Sequence, residues 1–594
     1  MKLARFDEAT EIVLRDMSRG VAPGRHDRQS ASVALAPLRI DPAAAPPDPR
    51  LIARLGAERV ARLGLLPWRR CGSDCVVLAE DPRLFLRHRE ELARALGPTR
   101  LALCDPGAIR AALARIAGTE LVLRAETRVE AGQSCRGWRT GAARLWIIGV
   151  ALCLGLMGWT MALAPAFLFL GLALLTMCLS AGLKLAALVL SFRDAPKRAT
   201  GAQAVPVGPP VVSLLVPLFR EAQIAGHLLD RLGRLDYPED RLDICLILEQ
   251  GDDLTRATLT RTALPPHAQV ISVPAGSLQT KPRALNYALD FARGSIIGIY
   301  DAEDAPAPDQ ITRVVQRFAE RGPQVACLQG VLDFYNPGKT WIARCFTLEY
   351  AAWFRLILPS LQRMGLVVPL GGTTLFLRRE AIEAVGGWDA HNVTEDADLG
   401  VRLARQGYRT EMIESTTMEE ANARAWPWVR QRSRWLKGYA MTYAVHMSDP
   451  KGLWRELGPW RFAGVQVLFL GTLVQLATAP LLWSFWLHLA GLPHPLVAAM
   501  PGGVFTAMVA LFLVSEAISL LVSIRAARLS GRRWLWLWAP TLLVYFPLAT
   551  IALYKATWEM LTRPFFWDKT DHGAYGGADA VPVTGRPRPL RRPA

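Results

Sequence analysis

Four short patterns in the 594-residue chain carry residue types that do chemistry. Glu249-Gln250-Gly251-Asp252-Asp253 and Asp301-Ala302-Glu303-Asp304 each close an apolar run, and Thr394-Glu395-Asp396-Ala397-Asp398 and Gln431-Arg432-Ser433-Arg434-Trp435 follow them. The spacing of Asp301, Glu303 and Asp304 offers hard oxygens to a divalent cation. Mg²⁺ commonly takes one or two protein carboxylates and fills its shell with substrate phosphate and water. No glycine-rich Walker loop is present, so phosphate must be held by the cation and by basic side chains. Lys281 and Arg283, just ahead of the helical run ALNYALD, are the candidates.

These residues need a frame that brings strand ends together. VVSLLVPLFREA from residue 211, LDICLILEQGDD and GSIIGIYDAED are continuous apolar runs ending in polar or acidic turns, separated by helical segments. Strands alternating with helices predict a doubly wound, mostly parallel α/β sheet over residues 199–455, whose ligands sit beyond the carboxyl ends of the strands. Both acidic clusters fall at that edge, and two clusters at equivalent strand ends point to one shared site. Asp396 by itself also reads as an acid in a helix N-terminal turn, and Trp435 by itself as a core aromatic.

The remainder of the chain belongs to a lipid environment. Hydrophobic residues make up 51% and charged residues 20%, with a net charge of +17. That composition excludes a disordered chain and argues against an ordinary soluble enzyme. The basic excess comes without any zinc-finger, RNP or helix-turn-helix signature, so no nucleic-acid partner is expected. Arginines instead flank apolar runs, as at anionic lipid head groups. Residues 145–192 fit two spans turning near Pro165, and 462–487 and 500–524 fit two more. Lys184 falls inside the second span and is expected to snorkel toward the cytoplasmic interface. The Trp-rich, Pro-broken stretch from Trp534 to Ala556 is expected to lie along the membrane or re-enter it, because a full crossing would carry a basic tail outside. The start, MKLARFDEATEIVLRD, lacks a cleavable signal pattern, so the first apolar stretch is expected to remain as an anchor. Residues 1–50, with PAAAPPDP at Pro42–Pro49, read as an arm and linker. Residues 51–125 read as a small α+β docking domain, and 557–594 as a cytoplasmic tail. The nine cysteines show no metal or disulfide framework and read as reduced thiols.

A TED segment followed by Q-x-x-R-W, after two acid-ended strands and between apolar spans, resembles the processive family 2 glycosyltransferases. Residues 211–440 are similar to bacterial cellulose synthase catalytic subunits and related polysaccharide synthases, and QGVLDFYNP at Gln329–Pro337 resembles that group's FYN segment. The resemblance implies a glycosyltransferase-A-like domain inserted between transmembrane helices. It implies an inverting transferase that moves sugar from a nucleotide-sugar, such as a UDP-sugar, to a growing polysaccharide and extrudes it. Carried over residue by residue, Glu249, Asp252 and Asp253 meet the nucleotide, with the acid that does so left open by EQGDD standing in place of DDG. Asp301 and Glu303 take the D-x-D positions at diphosphate and Mg²⁺ or Mn²⁺, with Asp304 a substitute ligand. Asp396 is the implied general base beside Glu395, while Gln431, Arg434 and Trp435 line the acceptor and diphosphate. Trp567-Asp568-Lys569-Thr570-Asp571-His572-Gly573 resembles the family's F-x-V-T-x-K-G gating loop, which puts Thr570 and His572 on the diphosphate. Residues 51–125 resemble the N-terminal domain of type II secretion ATPases. The expected location is an inner membrane, multi-pass, with catalytic domain and both termini cytoplasmic, and accessory export subunits are implied partners. Two other readings stand beside this one: a non-processive transferase acting on a lipid carrier, and a non-enzymatic inner-membrane component of an exopolysaccharide or phage-adsorption system.

Overall fold

A computed structural model describes residues 38–161, 163–193, 208–221 and 224–566. The chain divides into two compact units, Met1–Val122 and Leu123–Ala594.

The first unit is a three-stranded sheet packed with short helices. Strand β1 (Leu65–Cys71) runs antiparallel to β2 (Asp74–Ala79), which runs parallel to β3 (Thr99–Leu103). Helix α1 (Pro82–Leu96) starts under an Asp81 cap that accepts from the Arg83 N–H, and it buries Phe85, Leu92 and Leu96. The unit begins earlier than its composition suggests. Residues 38–50, expected as linker, lie along β3: Ile40 N donates to Leu103 O and Leu103 N donates to Leu38 O, both at 2.8 Å. The Pro/Ala run still has carbonyls to offer, and Trp68 Nε1 donates to Ala45 O at 2.8 Å. Proline removes a donor but leaves an acceptor, so such a run can pack as an edge.

In the second unit the three predicted strands join five others, among the described residues, in one eight-stranded sheet. Its strands are β4 (Val212–Leu218), β5 (Leu242–Glu249), β6 (Ala268–Val273), β7 (Ile296–Ile299), β8 (Ala305–Pro306), β9 (Val325–Phe334), β10 (Leu375–Arg378) and β11 (Arg409–Glu419). The order is β6-β5-β4-β7-β10-β9-β11-β8. The half built from β6, β5, β4 and β7 is all parallel, while β10 lies antiparallel between β7 and β9. The sheet is therefore mixed, with its parallel half where the first two acidic clusters emerge. β4 and β5 are buried along almost their whole length, as a sheet covered on both faces requires.

Among the described residues four helices are long and apolar enough to cross a membrane: α2 (Thr140–Thr160), α3 (Ala164–Arg193), α4 (Pro450–Leu489) and α5 (Val504–Leu529). The first pair turns where Pro165 was expected to turn it. α4 is broken near its start by Gly458, whose φ of 73° is open to glycine at little cost, followed by Pro459. The apolar part of α4 follows that break. After α5 the chain forms a 3₁₀ turn and short helix over Arg533–Tyr545 and then α6 (Pro547–Thr562), bent by 45° from each other. One end of this bent segment is tied to β9 and the other to the start of α2. Arg532 pairs with Asp333 on β9 and donates to Phe334 O at 2.8 Å. At the other end, Arg144 and Trp138, at the start of α2, donate to Leu561 O (2.6 Å) and Met560 O (3.2 Å).

Candidate active site

The parallel half of the sheet delivers acids to one edge, and two later helices bring the remaining chemistry to them. Helix α7 (Glu395–Arg405) begins with Glu395 and Asp396 in its first turn, and helix α8 (Ala425–His446) carries Gln431, Arg434 and Trp435. Gly438 is what lets them meet. A Cβ there would lie 1.9 Å from Thr394 Oγ1, so the α8 backbone passes directly over the residue that caps α7. Below this contact, Asp398 accepts from Arg402 Nε at 2.7 Å and lies 3.0 Å from His446 Nε2. Burial alone would raise the Asp398 pKa, but Arg402 and His446 hold it below the usual range, and these hydrogen bonds lock α7 to α8.

A cavity of about 1180 Å³ is lined by Glu249, Lys281, Asp301, Glu303, Glu395, Asp396, Gln431, Arg434 and Trp435. Nine of the thirteen expected site residues with described positions thus share one wall. Lys281 Nζ donates to Asp301 Oδ1 at 2.5 Å and to Gly372 O at 2.8 Å. Burial opposes the charge on Lys281, yet the surrounding carboxylates of Asp301, Glu395 and Asp396 hold its pKa above the ordinary range. Burial pushes Glu249 up to about 7, against the pull of Arg283. Burial and then Asp396 push Glu395 up to about 7, and burial pushes Asp396 up to about 6. Asp396 is restrained there by the Ala397 N–H and by the nearby charges of Lys281 and Arg434. Trp435 stacks with Tyr350 (centroids 6.2 Å apart, 29° between planes) and has the Arg432 guanidinium 4.7 Å from its ring centre. Gln431 Oε1 accepts from Asn422 Nδ2 at 2.9 Å.

Four expected site residues do not line the cavity. Asp252 is a buried helix cap whose carboxylate accepts from Arg220 N (2.6 Å), Thr255 N (3.1 Å) and Thr255 Oγ1 (2.7 Å). Orphan donors at a helix start compete for such a carboxylate, and here they take it. Asp253 is exposed in the first turn that follows. Arg283, read as a phosphate ligand, is buried and turned onto Glu249 Oε2 (2.6 Å) and Pro274 O (3.0 Å). Asp304, read as a cation ligand, is fully buried, accepting from Asp301 N at 2.8 Å and from Thr373 Oγ1. Burial and then the Asp301 charge push the Asp304 pKa well up, so it supports the Asp301 backbone as a buttress. Thr570 and His572 lie outside the described residues. Sequence reading missed Glu419, which ends β11, and Glu420 just after it, both of which line the cavity. The rule that found Glu249 and Asp301, acids at a strand's carboxyl end, would have found them in EMIESTTMEE.

Among the described residues no group of three or more His, Cys, Asp or Glu side chains is placed to hold a metal ion. An all-protein cage is therefore absent from them. Asp301, whose side chain keeps 33% of its surface exposed, and Glu303 on the same wall suit a cation that draws most of its ligands from substrate.

Residues 209–438 match the family model described as "Glycosyltransferase like family 2", and residues 35–123 match the MshEN domain. Over this stretch the chain is similar to the family 2 glycosyltransferases. The mixed sheet over these residues agrees with a glycosyltransferase-A-like domain beside helices of membrane length, and the small unit matches the MshEN model where a type II secretion-related domain was expected on residues 51–125. The chain is 30% identical over 307 residues to the beta-monoglucosyldiacylglycerol synthase of Synechocystis, covering 49% of this chain and 61% of that protein. It is 27% identical over 248 residues to the cellulose synthase 1 catalytic subunit of Komagataeibacter xylinus, covering 40% and 32%. Each of these curated relatives is thus matched over less than two thirds of its length. Among solved structures, the mannosyltransferase of Pyrobaculum calidifontis in complex with GDP-Man and Mn²⁺ aligns with a TM-score of 0.41 at 19% identity, over 63% of this chain and 99% of that one.

Proposed function

We propose that this protein is a membrane-embedded inverting glycosyltransferase that moves a sugar from a nucleotide-sugar, of the UDP-glucose kind, onto a growing polysaccharide and passes the product between its own helices. One observation carries this reading: the cavity that holds Asp301 and Asp396 continues along α3, α4 and α5 as far as Trp486, three residues from the end of α4. From Thr472 to Trp486 its lining follows about 20 Å of helix at about 1.5 Å per residue. An acceptor confined to one leaflet needs no cavity of that depth.

In this account Glu249 faces the nucleotide, and Asp301 with Glu303 meets the diphosphate end. These two carboxylates would hold Mg²⁺ or Mn²⁺, whose charge would help the diphosphate leave. Asp396 takes the proton of the acceptor hydroxyl as that oxygen attacks the anomeric carbon and the bond to the diphosphate breaks. Lys281 and Arg434 accompany the negative charge that builds on the departing phosphate. Trp435 offers an aromatic face to the acceptor end. The ends of the bent segment 533–562 are bonded to β9 and to the arginine-flanked start of α2, both cytoplasmic in this reading, which supports a re-entrant path that leaves the tail, with Thr570 and His572, on the donor's side of the membrane. A cysteine replacing Tyr575 in a cysteine-free background should then resist an impermeant thiol reagent applied from outside; prompt labelling contradicts the path.

The similarity to a beta-monoglucosyldiacylglycerol synthase favours a second reading, a single transfer onto a membrane lipid. Membranes supplied in turn with radiolabelled UDP-glucose, UDP-N-acetylglucosamine and GDP-mannose separate the two. Label in a long, water-soluble or insoluble polymer supports the first reading; label only in the organic-solvent extract, as a one-sugar lipid, overturns it.

A further inference from the structure

Three apolar helices turn polar stripes into the membrane part of the cavity. On α3, Thr176, Ser180 and Lys184 recur every four residues and so share one face. α4 adds Thr472 and Gln475, and α5 adds Ser515, Glu516 and Ser519. Lys184 does not snorkel to the interface as expected: its Nζ donates to Ser519 Oγ at 3.0 Å, between helices. Glu516 stands on the cavity wall one turn before Ser519 and makes no direct ion pair with Lys184. Lys184 and Glu516 are neighbours on the cavity wall without a direct ion pair, which leaves each with hydrogen-bonding capacity toward the cavity, and ionisable groups within apolar helices mark ligand paths.

The chemistry of the set selects the ligand. Thr176 and Thr472 spend their hydroxyl protons on carbonyls one turn back, at 2.9 and 2.7 Å, which leaves their oxygens to accept. Lys184 and Gln475 donate, and Glu516 accepts. A bound anion would meet Glu516 and a hydrocarbon tail would leave the stripes unpaired. An uncharged polyhydroxyl chain supplies donors and acceptors on every side. We infer that Lys184, Ser519 and Glu516 form a collar that binds an uncharged sugar unit of the acceptor chain inside the membrane. The inference rests on the polymerising reading above and names the substrate class it requires: a neutral saccharide.

The test uses full-length protein in nanodiscs, titrated with cellohexaose and maltohexaose while following the fluorescence of Trp483 and Trp486, which line the same cavity. One or both hexasaccharides should bind the wild type. Lys184→Met and Glu516→Gln should each weaken binding about tenfold, the scale of one charge-assisted hydrogen bond. Ser519→Ala, a milder change, should weaken it less. The inference is overturned if neither hexasaccharide binds, if both charge variants bind within about twofold of wild type, or if decyl phosphate displaces the sugar at lower concentration. Product analysis on wild-type membranes separates this failure from that of the parent reading. Polymer with an indifferent collar removes only the collar, whereas a one-sugar lipid product removes the polymerising reading itself.

Discussion

Replacing Gly438 by alanine gives two opposing effects whose sizes follow from the structure. In a helix interior alanine is favoured over glycine by about 1 kcal/mol, so without neighbours the change stabilises. Here the new Cβ would lie 1.9 Å from Thr394 Oγ1 and 2.6 Å from Thr394 Cβ and Cγ2. Thr394 has no easy retreat: it is buried, its N–H donates to Asn392 Oδ1 at 3.0 Å, and Asn392 is itself bonded to Thr442 on α8. Overpacking of this kind costs about 1–3 kcal/mol, so the sum should be a loss of up to about 2 kcal/mol. The larger effect is on function, since Asp396 follows two residues after Thr394. A displacement near 1 Å at a reacting group costs on the order of 100-fold in rate. Gly438→Ala should therefore lower the thermal midpoint in detergent by a few degrees and cut release of nucleoside diphosphate about 100-fold. Gly171→Ala in α3, where a Cβ meets nothing within 4 Å, should be neutral or stabilising and serves as the control. A Gly438→Ala protein that melts at or above the wild-type temperature with full turnover would refute the reasoning that α8 positions the α7 acids.

Three further outcomes are expected. Asp301→Asn should abolish the dependence of donor binding on added Mg²⁺ or Mn²⁺, measured by calorimetric titration with UDP-glucose; an unchanged dependence removes Asp301 from the cation. Turnover should fall as pH drops through about 6, because burial raises Asp396 to about 6 and a protonated carboxyl cannot accept the acceptor's proton. A flat profile between pH 5 and 8 opposes that role. Trp435→Ala should shorten the product more than it slows hydrolysis of the donor, and equal loss of both would make the ring a packing residue that fills the space beside Tyr350.

The parallel strands and the membrane helices were legible because each has a strong one-dimensional signal: continuous apolar runs ended by acids, and apolar stretches flanked by arginine. The meeting of TED and QRSRW on one wall was legible only through resemblance, since nothing local in Thr394–Asp398 foretells that α8 crosses over it. Residues behind the wall could not be told from those on it, for one physical reason. Asp252, Arg283 and Asp304 have the same chemistry as true wall residues, and only the tertiary structure reveals that backbone donors, Glu249 and Thr373 have already claimed them. The strand β8 is two residues long and carries no pattern. The edge formed by residues 38–50 was hidden by a proline-rich composition that also suits linkers. Lys184 was misread because snorkelling is a property of a lone helix, and its partner Ser519 lies more than 300 residues away.

The central claim is that Asp396 activates the acceptor in a site that binds a nucleotide-sugar at Asp301. Purified Asp396→Asn protein, assayed for UDP-glucose affinity and for sugar transfer in the same preparation, addresses it most directly. The account predicts donor affinity within about twofold of wild type and transfer reduced about 10²- to 10⁴-fold, the range for loss of a general base. Near wild-type transfer by a folded Asp396→Asn protein, or loss of donor binding equal to the loss of transfer, would contradict it.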